Sequence, residues 1–199
     1  MTYLSPKVLQ ALEFASIAHK GQFRKFPASV PYISHLVAVA QILSNAHYRE
    51  EVIIAGLLHD IIEDTHFNAE DIAEPFGNEA LDLVIAVTET KSLPWKERKE
   101  KYLSQIEAAS EEAKAISAAD LFANRLSNLL GLRKGENPWI RFSTTNPSEY
   151  AKRIFEIDER RLAVIKQNTS IPFISELEAV MREVEELSWK MLDTRAMQA

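Results

Sequence analysis

The chain contains no cysteine. Disulfides and thiolate metal sites are therefore excluded, and any transition metal must be held by His, Asp and Glu. No apolar stretch approaches about 18 residues, the rough minimum for a membrane span. The first residues, Met1-Thr2-Tyr3-Leu4-Ser5-Pro6, lack a basic segment followed by an apolar one, so the expectation is a cytoplasmic protein with no membrane partner. There is also no dense Lys/Arg tract. With 23 basic against 29 acidic residues the net charge is −6, which disfavours nucleic-acid polymers but not small anions held by a local basic cluster. Alternating strand patterns, internal repeats and low-complexity segments are missing as well. At 199 residues and 46% hydrophobic, the chain can bury a good core, and one domain over 1–199 is the default.

What is present reads as helix almost throughout. Ser5-Pro6 forms a cap with proline at the first helical position, opening a helix that ends near His19-Lys20-Gly21. A loop with Gly21, Pro27 and Pro31 follows, then a helix starting near His35 and another around His59. Asn68-Ala69-Glu70-Asp71 resembles a cap with acidic residues in the first turn, and Gly77 separates that short helix from the next. Pro94 opens a charged helix, and Ser110-Glu111-Glu112 a long one reaching Leu130. Residues 131–146 are expected to be the longest loop, either a lid carrying Arg133, Lys134 and Arg141 or a segment whose Trp139 and Phe142 pack down. Asn146-Pro147 caps a helix to about Lys166, and the last helix spans roughly 173–192. Its face of Leu177, Val180, Val184, Leu187 and Met191 suits either the core or a second copy in a homo-oligomer. The fold class is all-α.

One run breaks the rules of burial. Leu57-Leu58-His59-Asp60-Ile61-Ile62-Glu63-Asp64-Thr65 follows the nearly continuous apolar Val52-Ile53-Ile54-Ala55-Gly56, so it reads as a core helix, yet four of six residues are ionisable. Burying an unpaired charge is costly unless a partner or metal compensates it. On a continuous helix His59 lies above Glu63, and Asp60 above Glu63 and Asp64, offering an imidazole and three carboxylates to one point. His35 enters an apolar helix at its first turn, and Asp120 interrupts Ala115-Ile116-Ser117-Ala118-Ala119 with Asn124 one turn on. Two histidines and two aspartates from three helices suit Mn²⁺, Fe²⁺ or Zn²⁺. The bland alternatives are a satisfied histidine at a helix start for His35, and capping or pairing with Arg125 for Asp120. His47 and His66 look like surface residues, and His19 like a helix end.

These residues resemble the HD superfamily of metal-dependent phosphohydrolases, with ligands in the order H…HD…D. Ala18-His19-Lys20-Gly21-Gln22-Phe23-Arg24-Lys25, Pro31-Tyr32-Ile33-Ser34-His35, His59-Asp60-Ile61-Ile62-Glu63-Asp64-Thr65 and Asp120 through Asn124 look like the hydrolase domain of the Rel/SpoT alarmone enzymes, over roughly residues 5–130. The length is similar to that of the stand-alone small alarmone hydrolases. The resemblance implies an HD-domain helical bundle and a single Mn²⁺ on His35, His59, Asp60 and Asp120, with Glu63 and Asp64 serving the chemistry. It implies removal of the 3′-pyrophosphate of ppGpp or pppGpp to leave GDP or GTP. Asn124 would contact ribose or 3′-phosphate, and Arg24 and Lys25 would stand at the mouth for base and phosphate.

The pattern departs from the family at Leu121, where a basic residue usually follows the aspartate, and at Phe26-Pro27-Ala28-Ser29-Val30, where a glycine is frequent. Lys96, Tyr150 and Arg153 are candidates for further nucleotide contacts. The departures motivate an alternative: an HD phosphohydrolase of another nucleotide, an NADPH phosphatase or a 5′-nucleotidase. A non-catalytic HD protein would show a lost ligand or a lost Glu63-Asp64 pair, and neither is lost.

Overall fold

The computed structural model describes residues 5–196, without the side chains of 194–196. Among them the architecture is helical, with an isolated bridge between Phe23 and Pro31 as the sole β pairing. α1 (Pro6–Ala18) is opened by Ser5, whose hydroxyl accepts from the Val8 N–H at 3.1 Å. α2 (Ile33–Asn45), α3 (Glu50–Leu58), α4 (Ile61–Asp64), α5 (Glu70–Phe76) and α6 (Asn78–Val87) complete the first half. α7 (Trp95–Ala108) and the long α8 (Glu111–Arg133) follow; Ser110 caps α8 by accepting from the Ala113 N–H at 3.2 Å. α9 (Pro138–Phe142), α10 (Pro147–Ile165) and α11 (Ile174–Ala196) close the chain.

α3 is the central rod. Val52, Ile54, Ala55 and Leu58 are wholly buried, between α1, α2, α6 and α8. Gly56 lets α2 approach, since a Cβ there would stand 2.5 Å from Leu43 Cδ1. α8 runs through the middle with Ala113, Ala115, Ala118 and Ala119 buried; these small side chains admit neighbours from several sides. A second hydrophobic cluster joins the C-terminal part of α8 to α9, α10 and α11 through Leu129, Leu132, Trp139, Phe155 and Val184.

One expectation changes, and two alternatives left open by the sequence are narrowed. The helix around His59 is not continuous: it breaks at His59-Asp60, where Asp60 has φ −95° and ψ −1°, and resumes as α4. Of the two readings of 131–146, the packed-down one holds for Trp139. The stretch contains α9, and Trp139 is 1% exposed with its indole N–H donating to Ser188 Oγ at 2.8 Å. The apolar face of α11 turns inward, with Leu177 in the first core and Val184 in the second.

Candidate metal centre

Breaking the helix at His59-Asp60 turns both side chains toward α2 and α8. His59 Nδ1 donates to the Gly56 carbonyl at 2.9 Å, because a carbonyl can only accept. Nε2 is thereby turned toward Asp60 Oδ2 (3.2 Å) and Asp120 Oδ1 (3.8 Å). His35, on the first turn of α2, places Nε2 at 3.1 Å from Asp120 Oδ1 and 3.9 Å from Asp60 Oδ2. Donor atoms of His35, His59 and Asp120 all lie within 4.8 Å of one another.

The electrostatics ask for a cation. Burial opposes an imidazolium, yet Asp60 and Asp120 outweigh it and push His59 up to about 9. Burial also opposes the two carboxylates, but His59 and His35 hold Asp60 below the ordinary range, and Arg161 and His35 do the same for Asp120. His59 Nε2 is nevertheless a buried atom without a hydrogen-bond partner. An unsatisfied ring nitrogen facing two half-buried carboxylates fits a divalent cation with mixed nitrogen and oxygen ligands.

A second layer fixes these donors. The Tyr32 hydroxyl donates to Asp60 Oδ2 at 2.5 Å. His19 stacks on the Tyr32 ring at 5.0 Å and pairs with Gln22 Oε1 at 2.8 Å, and the Gln22 amide donates to the Asp64 carbonyl at 2.9 Å. Arg24 Nη2 donates to Asn124 Oδ1, and Asn124 Nδ2 to Asp120 Oδ1, both at 2.7 Å. Asp120 Oδ2 is taken by Arg161 at 2.9 Å rather than by Arg125, which contacts Asp158 at 2.6 Å instead. Glu63 accepts from the Glu89 N–H at 3.0 Å, and Asp64 pairs with Lys91. Burial, followed by the charges of Asp60 and Glu89, raises the Glu63 carboxyl above its ordinary value, against the Glu89 hydrogen bond and Lys91.

A cavity of about 260 Å³ opens on this cluster, with Glu63, Asp64 and Asn124 on its walls and Lys99, Arg125 and Arg161 among its cations. A neighbouring cleft of about 520 Å³ holds Arg24, exposed Lys25, Lys91 and Phe142. Lys96 and Arg153 lie elsewhere, in a cleft of about 270 Å³ where Arg153 covers the Trp95 ring at 4.5 Å. Tyr150 stacks on Phe142 at 5.8 Å, packed against the second cluster. The residues that sequence reasoning passed over are Tyr32, Arg161 and Asp158. Tyr32 stood inside a quoted motif and could have been found there. Arg161 and Asp158 sit on an amphipathic helix where charge is ordinary, and no local signal marks them.

The HD-domain family model matches residues 11–125. The chain belongs to the HD-domain family. Among curated relatives, the Drosophila melanogaster protein named guanosine-3′,5′-bis(diphosphate) 3′-pyrophosphohydrolase MESH1 is 40% identical over 134 residues, covering 66% of this chain and 73% of that protein. The Homo sapiens protein of the same name is 37% identical over 120 residues, covering 59% and 67%. A solved structure described as a metazoan ortholog of SpoT that hydrolyzes ppGpp superposes with a TM-score of 0.73 at 28% identity, over 96% of this chain and 98% of that one. The Listeria monocytogenes protein lmo0812 gives 0.67 at 34% identity, over 77% and 97%.

Proposed function

We propose that this chain removes the 3′-pyrophosphate of ppGpp and pppGpp, giving GDP or GTP and pyrophosphate, with Mn²⁺ held by His35, His59, Asp60 and Asp120. The observation that carries the reading is the convergence of donors from buried His35 and His59 and half-buried Asp120 within 4.8 Å, in a chain whose relatives bear that activity in their names. A divalent cation on these ligands supplies Lewis acidity toward a phosphate oxygen and makes water more acidic.

The remaining work falls to the chain's own groups. Glu63 is the general base: its carboxylate is held by the Glu89 N–H, and its raised pKa brings it nearer neutrality, where proton acceptance is most effective. Asp64, paired with Lys91, assists by orienting water at the wall of the cavity. Asn124 links Arg24 to Asp120, so it sets the distance between the base-contacting side and the reacting phosphate. Arg24 and Lys25 meet base and phosphates in the adjoining cleft. Lys96 and Arg153, beside Trp95, and Tyr150, stacked on Phe142, serve more distant parts of the nucleotide.

A second reading, hydrolysis of another nucleotide such as NADPH or a 5′-nucleotide, is favoured by one feature. Leu121 lines the cavity at the position where the resemblance to the Rel/SpoT hydrolase domain leads one to expect a basic residue. Ranking kcat/KM over ppGpp, pppGpp, NADPH and 5′-nucleoside monophosphates with Mn²⁺ separates the two. The alarmones rank first on our reading; equal or faster turnover of another nucleotide displaces them.

A further inference from the structure

The geometry points to Arg161 of α10 as a positioning residue that fixes the Asp120 carboxylate toward the two histidines. The inference rests on the reading of Asp120 as a metal ligand. α8 sets the backbone of Asp120 but leaves its carboxylate free to turn. Two contacts remove that freedom. Arg161 Nη2 holds Oδ2 at 2.9 Å, and Asn124 Nδ2 holds Oδ1 at 2.7 Å, which leaves Oδ1 facing His35 Nε2 at 3.1 Å.

Arg161 can act as a fixed point because it is itself immobilised. Its Nε donates to Ser117 Oγ at 2.9 Å and its Nη2 to the Ser117 carbonyl at 2.5 Å, while the guanidinium lies 5.2 Å from the Tyr102 ring centre. Tyr102 in turn shares a 3.0 Å hydrogen bond with Ser117 Oγ. One planar fork thus reads Ser117 and Asp120 together, one turn apart on α8, a task for guanidinium and not for a single ammonium. One turn earlier on α10, Asp158 contacts Arg125 of α8 at 2.6 Å. Asp120, Arg161, Asp158 and Arg125 therefore alternate in sign across the seam between the two helices. Arg161 lies beyond residue 125, where the family match ends, so a helix outside the matched segment completes the ligand geometry inside it.

The test is Arg161→Lys in the full chain, which keeps the charge and removes the fork. Mn²⁺ binding is measured by the electron paramagnetic resonance signal of free Mn²⁺, alongside melting of metal-free protein. We expect a dissociation constant about 10- to 100-fold higher, the range for losing a group that orients a ligand, with metal-free melting near that of the parent. Ser117→Ala, which removes one acceptor and neither charge, shifts affinity the same way by less. A folded Arg161→Lys protein with affinity within about twofold of the parent overturns the inference, as does a lower melting temperature with unchanged affinity. A parent that binds no Mn²⁺ overturns the metal reading itself, an outcome visible before any variant is made.

Discussion

Asp60 holds three relationships at once: it faces His59 at 3.2 Å, lies 3.9 Å from His35, and accepts the Tyr32 hydroxyl at 2.5 Å. Asp60→Ala is therefore expected to lose Mn²⁺ binding. In the parent, Mn²⁺ at about 100 times its dissociation constant adds about 2.7 kcal/mol of stability by mass action, and thermal melts with and without Mn²⁺ should show that gain vanish in the variant. Equal gains in both proteins would remove Asp60 from the ligand set. Glu63 stands apart from the donor cluster. Glu63→Gln should bind Mn²⁺ like the parent and lose roughly 10²- to 10⁴-fold in kcat. The base works deprotonated, and burial raises its pKa, so activity falls as pH drops through a limb lying above the ordinary glutamate value of about 4.3. A pH–rate profile of kcat/KM checks this, and an acid limb at or below the ordinary value contradicts it.

At the scale of elements, the decisive feature is the break between α3 and α4. A continuous helix would place His59, Asp60, Glu63 and Asp64 on one stripe; the break sends the first two to the donor cluster and ties Glu63 to Glu89. Helix existence was legible because apolar periodicity and caps are local, and Ser5, Ser110 and Asn146 all cap where their sequence context implies. The break was not legible, because it answers to charges brought by α2 and α8 from far along the chain. Gly131 shows the same limit. It reads as the end of a helix, yet it lies within α8 where a Cβ would collide with the Phe26 ring. Gly131→Ala should cost about 1 to 3 kcal/mol by overpacking and lower activity by displacing the loop that carries Arg24. Denaturant unfolding and turnover together test it; an unchanged midpoint would show that Phe26 has room to move.

At the scale of the molecule, the helices packed in the first core carry His35, His59 and Asp120, while the second cluster seats α10 against α8. Trp139 is the anchor of that cluster, edge-on to Phe155 at 5.0 Å. Trp139→Ala should cost about 3 to 5 kcal/mol and reduce activity beyond the loss of folded protein, because α10 carries Asp158 and Arg161 at the cavity wall. Activity per folded molecule that equals the parent's would confine the second cluster to stability. The candidate ligands were legible in the sequence because ionisable residues in apolar runs are conspicuous. The groups that hold those ligands in place were not, since Arg161 and Asp158 gain their meaning only when α10 folds back on α8. The central claim is tested most directly by identifying the products of ppGpp incubated with the parent, with Asp60→Ala, and with the parent plus EDTA, all in Mn²⁺ buffer. GDP and pyrophosphate from the parent alone is the predicted result; intact ppGpp with the parent, or the same products in all three samples, would contradict it.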